Sequence, residues 1–304
     1  MPFAGVYSIL PTAFTDAGDI DADSQRRVVD LFVEKGVNGL TALGVTGEVA
    51  RLDEHERATV LEIVVKQADG RVPIVAGTSA DGTRTCIAYT RQAKALGAAA
   101  VMVSPPRMPK LNSNAVVAHY KALADAVDLP IVVQDYPPIT GFAMEPALLA
   151  RIAKEIPSAR TIKLEDPPTP FKTARIRDAA GDTPVQIFGG LGGVFLLEEL
   201  IAGATGAMTG FAFPEILLRI MRHWNAGEHD AAADVFYRAV PLMRFEFQEG
   251  IGMAIRKEVL RRRGVLKSAA TRAPAGSLDA PTKAALDRVL AWVTAQKGME
   301  WISV

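Results

Sequence analysis

Short apolar runs alternate along the chain with longer segments whose apolar positions recur at helical spacing. The runs cover residues 5–10, 39–44, 72–77, 99–104, 129–134, 161–165, 185–189 and 206–210. Between them lie amphipathic segments with helix-start residues. Asp23 and Ser24 precede the run to Lys35, Asp53 precedes 54–67, and further segments span 81–95, 113–126 and 145–154. Gly36, Gly70 and Gly97 end three of them, as left-handed C-caps do. Strand–helix units with few intervening hairpins predict parallel strands joined by helical crossovers. Eight such units in about 225 residues suit a closed (β/α)8 barrel. An open doubly wound sheet is the competing arrangement, and the lack of G-x-G-x-x-G after the first run counts against it. Residues 228–304 contain no clear strand and three helical stretches, 230–244, 250–263 and 281–297, with a loop at 268–276. The expected fold is α/β: a (β/α)8 TIM barrel over residues 1–227, followed by a C-terminal helical extension over 228–304.

Composition narrows the partners. The 304 residues carry 34 Lys and Arg against 34 Asp and Glu, so neither nucleic acid nor an anionic membrane is an expected partner. One cysteine, Cys86, rules out an internal disulfide and fits a reducing, cytoplasmic setting. It lies in a helical stretch and reads as packing. No basic leader or membrane-length apolar run is visible. His55, His119, His223 and His229 are scattered over helical segments without metal-ligand spacing and read as surface residues. Tyr120 reads as core, and no metal or other cofactor is expected.

One run stands out chemically. Thr161-Ile162-Lys163-Leu164-Glu165 holds a lysine in mid-strand and is stopped by Pro167-Pro168. A buried ammonium is unfavourable, so its pKa falls and the amine becomes a nucleophile able to form a Schiff base. The competing reading is a strand-end lysine that snorkels to solvent. In such barrels the site lies at the C-terminal strand ends. Those ends carry Gly44-Val45-Thr46-Gly47-Glu48, Ser104-Pro105-Pro106-Arg107, Gln134-Asp135-Tyr136-Pro137, Lys163 with Glu165, Gly189-Gly190-Leu191-Gly192-Gly193, and Thr209-Gly210. Strand alternation sets Lys163 and Glu165 on one face, and likewise Gln134 and Tyr136. Glu165 is then a proton shuttle or a structural ion-pair partner. The turn after the second strand either presents amides to a carboxylate or simply connects strand to helix. The glycines after the seventh strand either cradle an anion or let backbone approach a ligand; with no Lys or Arg close by in sequence, close approach is favoured.

With these loops placed, the chain resembles the dihydrodipicolinate synthase/N-acetylneuraminate lyase family from about Gly5 to Arg263. The likeness rests on Leu10-Pro11-Thr12-Ala13-Phe14, on Gly44-x-Thr46-Gly47-Glu48 with Leu52 and Glu56, on Lys163 and Gly189, and on Gly203-Ala204-Thr205-Gly206-Ala207-Met208-Thr209-Gly210. It implies a homo-oligomeric barrel, dimer or tetramer, whose lysine forms an imine with pyruvate or another 2-oxo acid without a metal. It also implies that Thr46 and the Gly47 amide hold the substrate carboxylate, with Gly189 and Met208 as further substrate neighbours. Three departures stand out. Val45 replaces the family's usual hydroxyl residue. Pro106 and Arg107 stand where synthases have aromatic residues. The position of the catalytic tyrosine falls on Gln134, with Tyr136 two residues on as the expected substitute. Val133-Gln134-Asp135-x-Pro137 and Lys163-x-Glu165 look more like the branch that dehydrates 2-keto-3-deoxy sugar acids such as 2-keto-3-deoxy-L-arabonate.

The expected function is therefore a class I lyase, aldolase or dehydratase, working on a small 2-oxo acid. Lys163, Tyr136 and Glu165 are the catalytic candidates, and Thr46, Gly47, Gln134, Arg107, Gly189 and Met208 the substrate-binding ones. Arg107 would meet a second carboxylate or a sugar-acid terminus, or sit on the rim. A 4-hydroxy-tetrahydrodipicolinate synthase proper is one alternative. A 2-oxo acid-binding or regulatory paralogue without turnover is another, motivated by Val45. A metal-dependent barrel aldolase would need a carboxylate and histidine cluster that the strand ends lack.

Overall fold

Eight strands pair in parallel, each with the next, and the last closes on the first. They are β1 (Gly5–Ile9), β2 (Gly39–Ala42), β3 (Ile74–Gly77), β4 (Ala100–Val103), β5 (Ile131–Asp135), β6 (Thr161–Leu164), β7 (Gln186–Gly189) and β8 (Gly206–Thr209) in a computed structural model that describes residues 3–303. The helices are α1 (Ala22–Lys35), α2 (Glu54–Ala68), α3 (Thr83–Ala95), α4 (Ser113–Ala126), the single-turn α5 (Pro137–Thr140), α6 (Pro146–Glu155), α7 (Thr169–Ala180), α8 (Leu196–Ile201), α9 (Pro214–Asn225), α10 (His229–Glu246), α11 (Gly252–Arg262) and α12 (Ala280–Thr294). This is the (β/α)8 barrel with helices following at the C-terminus.

Period-two alternation sorts the strand residues. Tyr7, Ile9, Val75, Ala100, Met102, Val132, Phe188 and Met208 form one apolar cluster, the filled barrel interior. Their strand neighbours Val6, Leu40, Ala76, Val101, Val133, Ile162, Ile187 and Ala207 join the larger cluster under the helices. Both strand faces are thus buried, which is why the runs read as continuous rather than alternating.

Local signals hold with small shifts. Asp53 and Glu56 form a reciprocal capping box on α2. Asp21, not Asp23 or Ser24, caps α1: its backbone is still extended and its side chain accepts the Ser24 amide at 3.0 Å. Gly36 closes α1 with φ 89, whereas Asp69 takes the left-handed C-cap of α2 ahead of Gly70. Helix α7 lacked an apolar signal because its buried face is Thr169, Lys172, Thr173, Ile176 and Ala180, and α8 has only 6 residues. His119 is a correction. It is buried on α4 beside Tyr120, its Nδ1 2.9 Å from Thr83 Oγ1, because Val116, His119, Tyr120 and Leu123 share the inward face. Burial holds its pKa below the usual histidine value. Tyr120 is core, its hydroxyl donating to the Val103 carbonyl at 2.8 Å. Cys86 is buried and free.

The C-terminal chain returns to the barrel mouth. Glu48 follows the 3₁₀ turn Val45–Gly47 in the left-handed region at φ 56, and its carboxylate is buried. It pairs with Lys257 Nζ at 2.5 Å and Arg51 Nη1 at 2.9 Å, and accepts the Arg272 amide at 3.0 Å. The 268–276 loop is thereby tied down, with Arg272 also bound to Glu56.

Candidate active site

Lys163 sits on β6 in register with Gln134 of β5 and Phe188 of β7. Phe188 belongs to the interior cluster, so Lys163 points into the barrel, and it is only 2% exposed. It does not snorkel. Its Nζ lies 2.7 Å from Glu165 Oε2. The same oxygen accepts Gln134 Nε2 at 2.7 Å, Gln134 Oε1 accepts Ser104 Oγ at 3.0 Å, and the Ser104 amide donates to Ser79 Oγ at 2.9 Å. Glu165 thus has its approach to the lysine fixed by a relay across the ends of four strands, β6 back to β3. Gly190 makes room for it, since a Cβ there would lie 2.3 Å from Glu165 Cγ. Burial, with the charge of Arg256 adding to it, pushes the Lys163 pKa below the ordinary lysine value against the pull of Glu165.

The other expected residues are distributed unevenly. Tyr136 is half-buried at the head of α5, and Gln134, rather than this tyrosine, is the group hydrogen-bonded to Glu165. Burial raises the Tyr136 pKa, with Glu165 and Glu249 adding to the rise. Thr46 reaches the mouth, and its Oγ1 is buried without a partner. The Gly47 amide donates to the Gly44 carbonyl at 2.9 Å, and its carbonyl accepts Thr12 Oγ1 at 2.6 Å. Gly189 faces Glu199: a Cβ at Gly189 would lie 1.7 Å from Glu199 Oε2, on the outer side of the barrel. Met208 packs in the interior cluster. Arg107 is exposed, with Asp81 beside it.

The residues whose importance the sequence hid come from β4 and from the C-terminal helices. Ser104 directly follows β4 and completes the relay. Arg256 on α11 is 4% exposed, and its Nε donates to Glu246 Oε1 at 2.7 Å. Glu246 also accepts the Ala212 amide at 3.1 and 3.2 Å. Arg256 Nη1, like Thr46 Oγ1, is buried without a hydrogen-bond partner. The two meet over Gly210, where a Cβ would lie 2.3 Å from Arg256 Nη1 and 2.9 Å from Thr46 Oγ1. A cavity of about 220 Å³ opens beside them, bounded by Thr46, Tyr136, Glu246, Glu249 and Arg256 among others. In sequence Arg256-Lys257 is one basic pair in a helix rich in arginine, with nothing to mark it. Among the described residues no three His, Cys, Asp or Glu side chains gather as metal ligands, and no helix is long and apolar enough to cross a membrane.

Fold and site define a (β/α)8 barrel with a buried, carboxylate-paired lysine at the C-terminal mouth, where barrel enzymes keep their chemistry. The model of the dihydrodipicolinate synthetase family matches residues 2–292, and the chain belongs to that family, whose enzymes are lyases. It is 34% identical over 288 residues to an L-2-keto-3-deoxyarabonate dehydratase of Azospirillum brasilense, covering 93% of this chain and 92% of the relative. It is 36% identical over 233 residues to a 4-hydroxy-tetrahydrodipicolinate synthase of Pelobacter propionicus, covering 76% and 78%. The crystal structure of dihydrodipicolinate synthase from Rhodopseudomonas palustris superposes with a TM-score of 0.89 at 35% identity, covering 95% of this chain and 97% of that one.

Proposed function

We propose that the protein is a Schiff-base lyase that dehydrates a 2-keto-3-deoxy sugar acid through an imine on Lys163. The observation that carries the reading is the buried Lys163 with Glu165 at 2.7 Å, Glu165 being held in turn by Gln134, which the family resemblance aligns with the synthase tyrosine. Neutral Nζ attacks C2 of the 2-oxo acid, and the carbinolamine loses water to give the iminium. The iminium withdraws electrons from C3, and Glu165 removes a C3 proton to form the enamine. Protonation of the C4 hydroxyl and its departure as water leaves a conjugated iminium, which water hydrolyses to free the lysine. These steps need no metal, because the iminium is the electron sink. Gln134 holds Glu165 but transfers no proton itself, since an amide does not titrate in this range. That supports dehydration over the synthase reaction, in which a tyrosine-centred relay serves addition to an aldehyde. Tyr136 is assigned to the C4 hydroxyl, across the same mouth.

Incubation with pyruvate or a 2-keto-3-deoxy sugar acid, reduction with borohydride and mapping by mass spectrometry tests the reading. A reduced adduct on Lys163, with turnover of a 2-keto-3-deoxy pentonate or hexonate, is the expected result. Formation of 4-hydroxy-tetrahydrodipicolinate instead would favour 4-hydroxy-tetrahydrodipicolinate synthase, the name borne by the Pelobacter relative. An adduct without turnover in either panel would favour a binding paralogue. Self-association belongs to the same reading: Phe171, Ile201, Tyr237 and Trp292 are each more than half exposed.

A further inference from the structure

We infer that Arg256, carried on α11, joins Thr46 as the receptor for the C1 carboxylate of the substrate. The inference rests on the reading of Lys163 as the imine-forming residue and names a group outside the barrel strands for the binding step. A buried N–H without an acceptor is unfavourable, and native structures rarely keep one without a use. Arg256 Nη1 is such a group, and Thr46 Oγ1, which can donate, is a second. Both converge on the bare face of Gly210 at the β8 terminus. The guanidinium is not free to turn away, because Glu246 holds Nε and is itself anchored by the Ala212 amide. A fixed guanidinium edge beside a hydroxyl, next to a cavity and partly desolvated, suits a carboxylate.

Position supports the same assignment. C1 is bonded to the carbon that Lys163 attacks, so a C1 receptor must flank the lysine. Arg256 is near enough for its charge to act on Lys163, whereas Arg107 is exposed and beside Asp81. Arg256, from the C-terminal helices, thus serves C1, a different end of the substrate from the second carboxylate or sugar-acid terminus expected for Arg107. Residues 1–227 alone lack Arg256.

Oxamate has the shape of a 2-oxo acid, but its amide carbonyl forms no imine, so it separates carboxylate binding from covalent chemistry. Calorimetry with the full chain is expected to show that Arg256→Gln weakens oxamate binding about tenfold to a hundredfold, the effect of losing a charged hydrogen bond. Arg256→Lys should restore part of it, and Lys163→Ala should weaken it less than Arg256→Gln does. In borohydride trapping, Arg256→Gln should lose labelling by pyruvate and keep labelling by pyruvamide, which has no carboxylate. If Arg256→Gln leaves Glu246 too poorly paired to fold, the double variant with Glu246→Gln replaces the ion pair by an amide pair. Gly210→Ala, whose methyl would occupy the place of Nη1, offers a route that leaves both charges intact. Oxamate binding within about twofold of wild type in Arg256→Gln would overturn the assignment. So would equal loss of pyruvate and pyruvamide labelling, which marks a merely structural arginine. Failure of the wild type to label with either ketone breaks the imine reading and leaves the oxamate result to decide Arg256.

Discussion

Two lysines of this protein are both hidden from water, and only one is proposed to react. Lys163 lies on a strand inside the barrel mouth, 2% exposed, with Glu165 as its single ion-pair partner among the described residues. Lys257 lies on α11, 0% exposed, and its capacity is taken up: Glu48 at 2.5 Å, the Ala270 carbonyl at 2.7 Å and the face of Phe14 at 4.3 Å. Burial lowers the pKa of both. Desolvation therefore does not select a nucleophile. What differs is the surroundings: Lys163 meets one carboxylate, a base able to move a proton, at the C-terminal end of a strand, whereas the Lys257 ammonium meets a carboxylate, a carbonyl and a ring. Lys257 instead serves as a bolt, holding the turn after β2, and with it Thr46, against the C-terminal helices.

Substitution of each lysine by methionine separates the two roles most sharply. Lys163→Met should abolish the borohydride adduct and lower turnover by about a thousandfold or more, while the protein stays folded by circular dichroism. A residual adduct elsewhere on the chain would make Lys163 no more special than Lys257.

Glu165→Gln is next in size. Loss of the proton acceptor should slow turnover by about 10²–10⁴-fold while the imine still forms. The sign of its pH effect is fixed by charge. Glu165 favours the ammonium form of Lys163, so removing its charge lowers the lysine pKa further, and trapping should persist to lower pH than in wild type. A shift to higher pH would contradict the pairing.

Lys257→Met should leave the adduct on Lys163 in place and reduce stability to urea. About 3 kcal/mol is expected, the low end for breaking a buried pair, because Glu48 keeps Arg51 and the Arg272 amide. Loss of labelling in a folded Lys257→Met protein would break the distinction drawn between the two sites.

The last effect, felt only across a pH window, concerns a buried carboxylate with no ion-pair partner among the described residues. Burial pushes the Glu199 pKa up to about 7 from 4.5. The folded state keeps this proton where the unfolded chain gives it up, so the stabilising contribution is full below 4.5 and is lost as pH rises to about 7. Glu199→Gln should flatten that decline, by up to about 3 kcal/mol across the window, in urea titrations at matched pH. An unchanged slope would assign the decline to other groups.

Much of the barrel was legible because its signals are local. Asp53 and Glu56 cap α2 from three residues apart, and the eight apolar runs mark eight strands wherever the helices pack. The site was legible only where one strand carries it. Lys163 on β6 and Glu165 just after it are two residues apart, so alternation alone put them on one face. Gln134 and Tyr136 shared the same parity, yet parity could not say which one touches Glu165. The register of β5 against β6 and the turn into α5 made it Gln134. His119 was misjudged because a single histidine on a helix has no local mark of which face turns inward.

The sequence by itself determined the alternation, the closed parallel barrel and the lysine at its catalytic end, since these depend on side-chain periods of a few residues. Tertiary structure alone brought Arg256 over Gly210 to Thr46 and set Lys257 on Glu48, pairs of groups more than 200 residues apart for Thr46 with Arg256 and Glu48 with Lys257. A contact at that separation leaves no periodic trace. It exists because chain closure has already been achieved by the barrel core, and only the finished packing decides which buried charge finds a partner and which is left with a donor to offer.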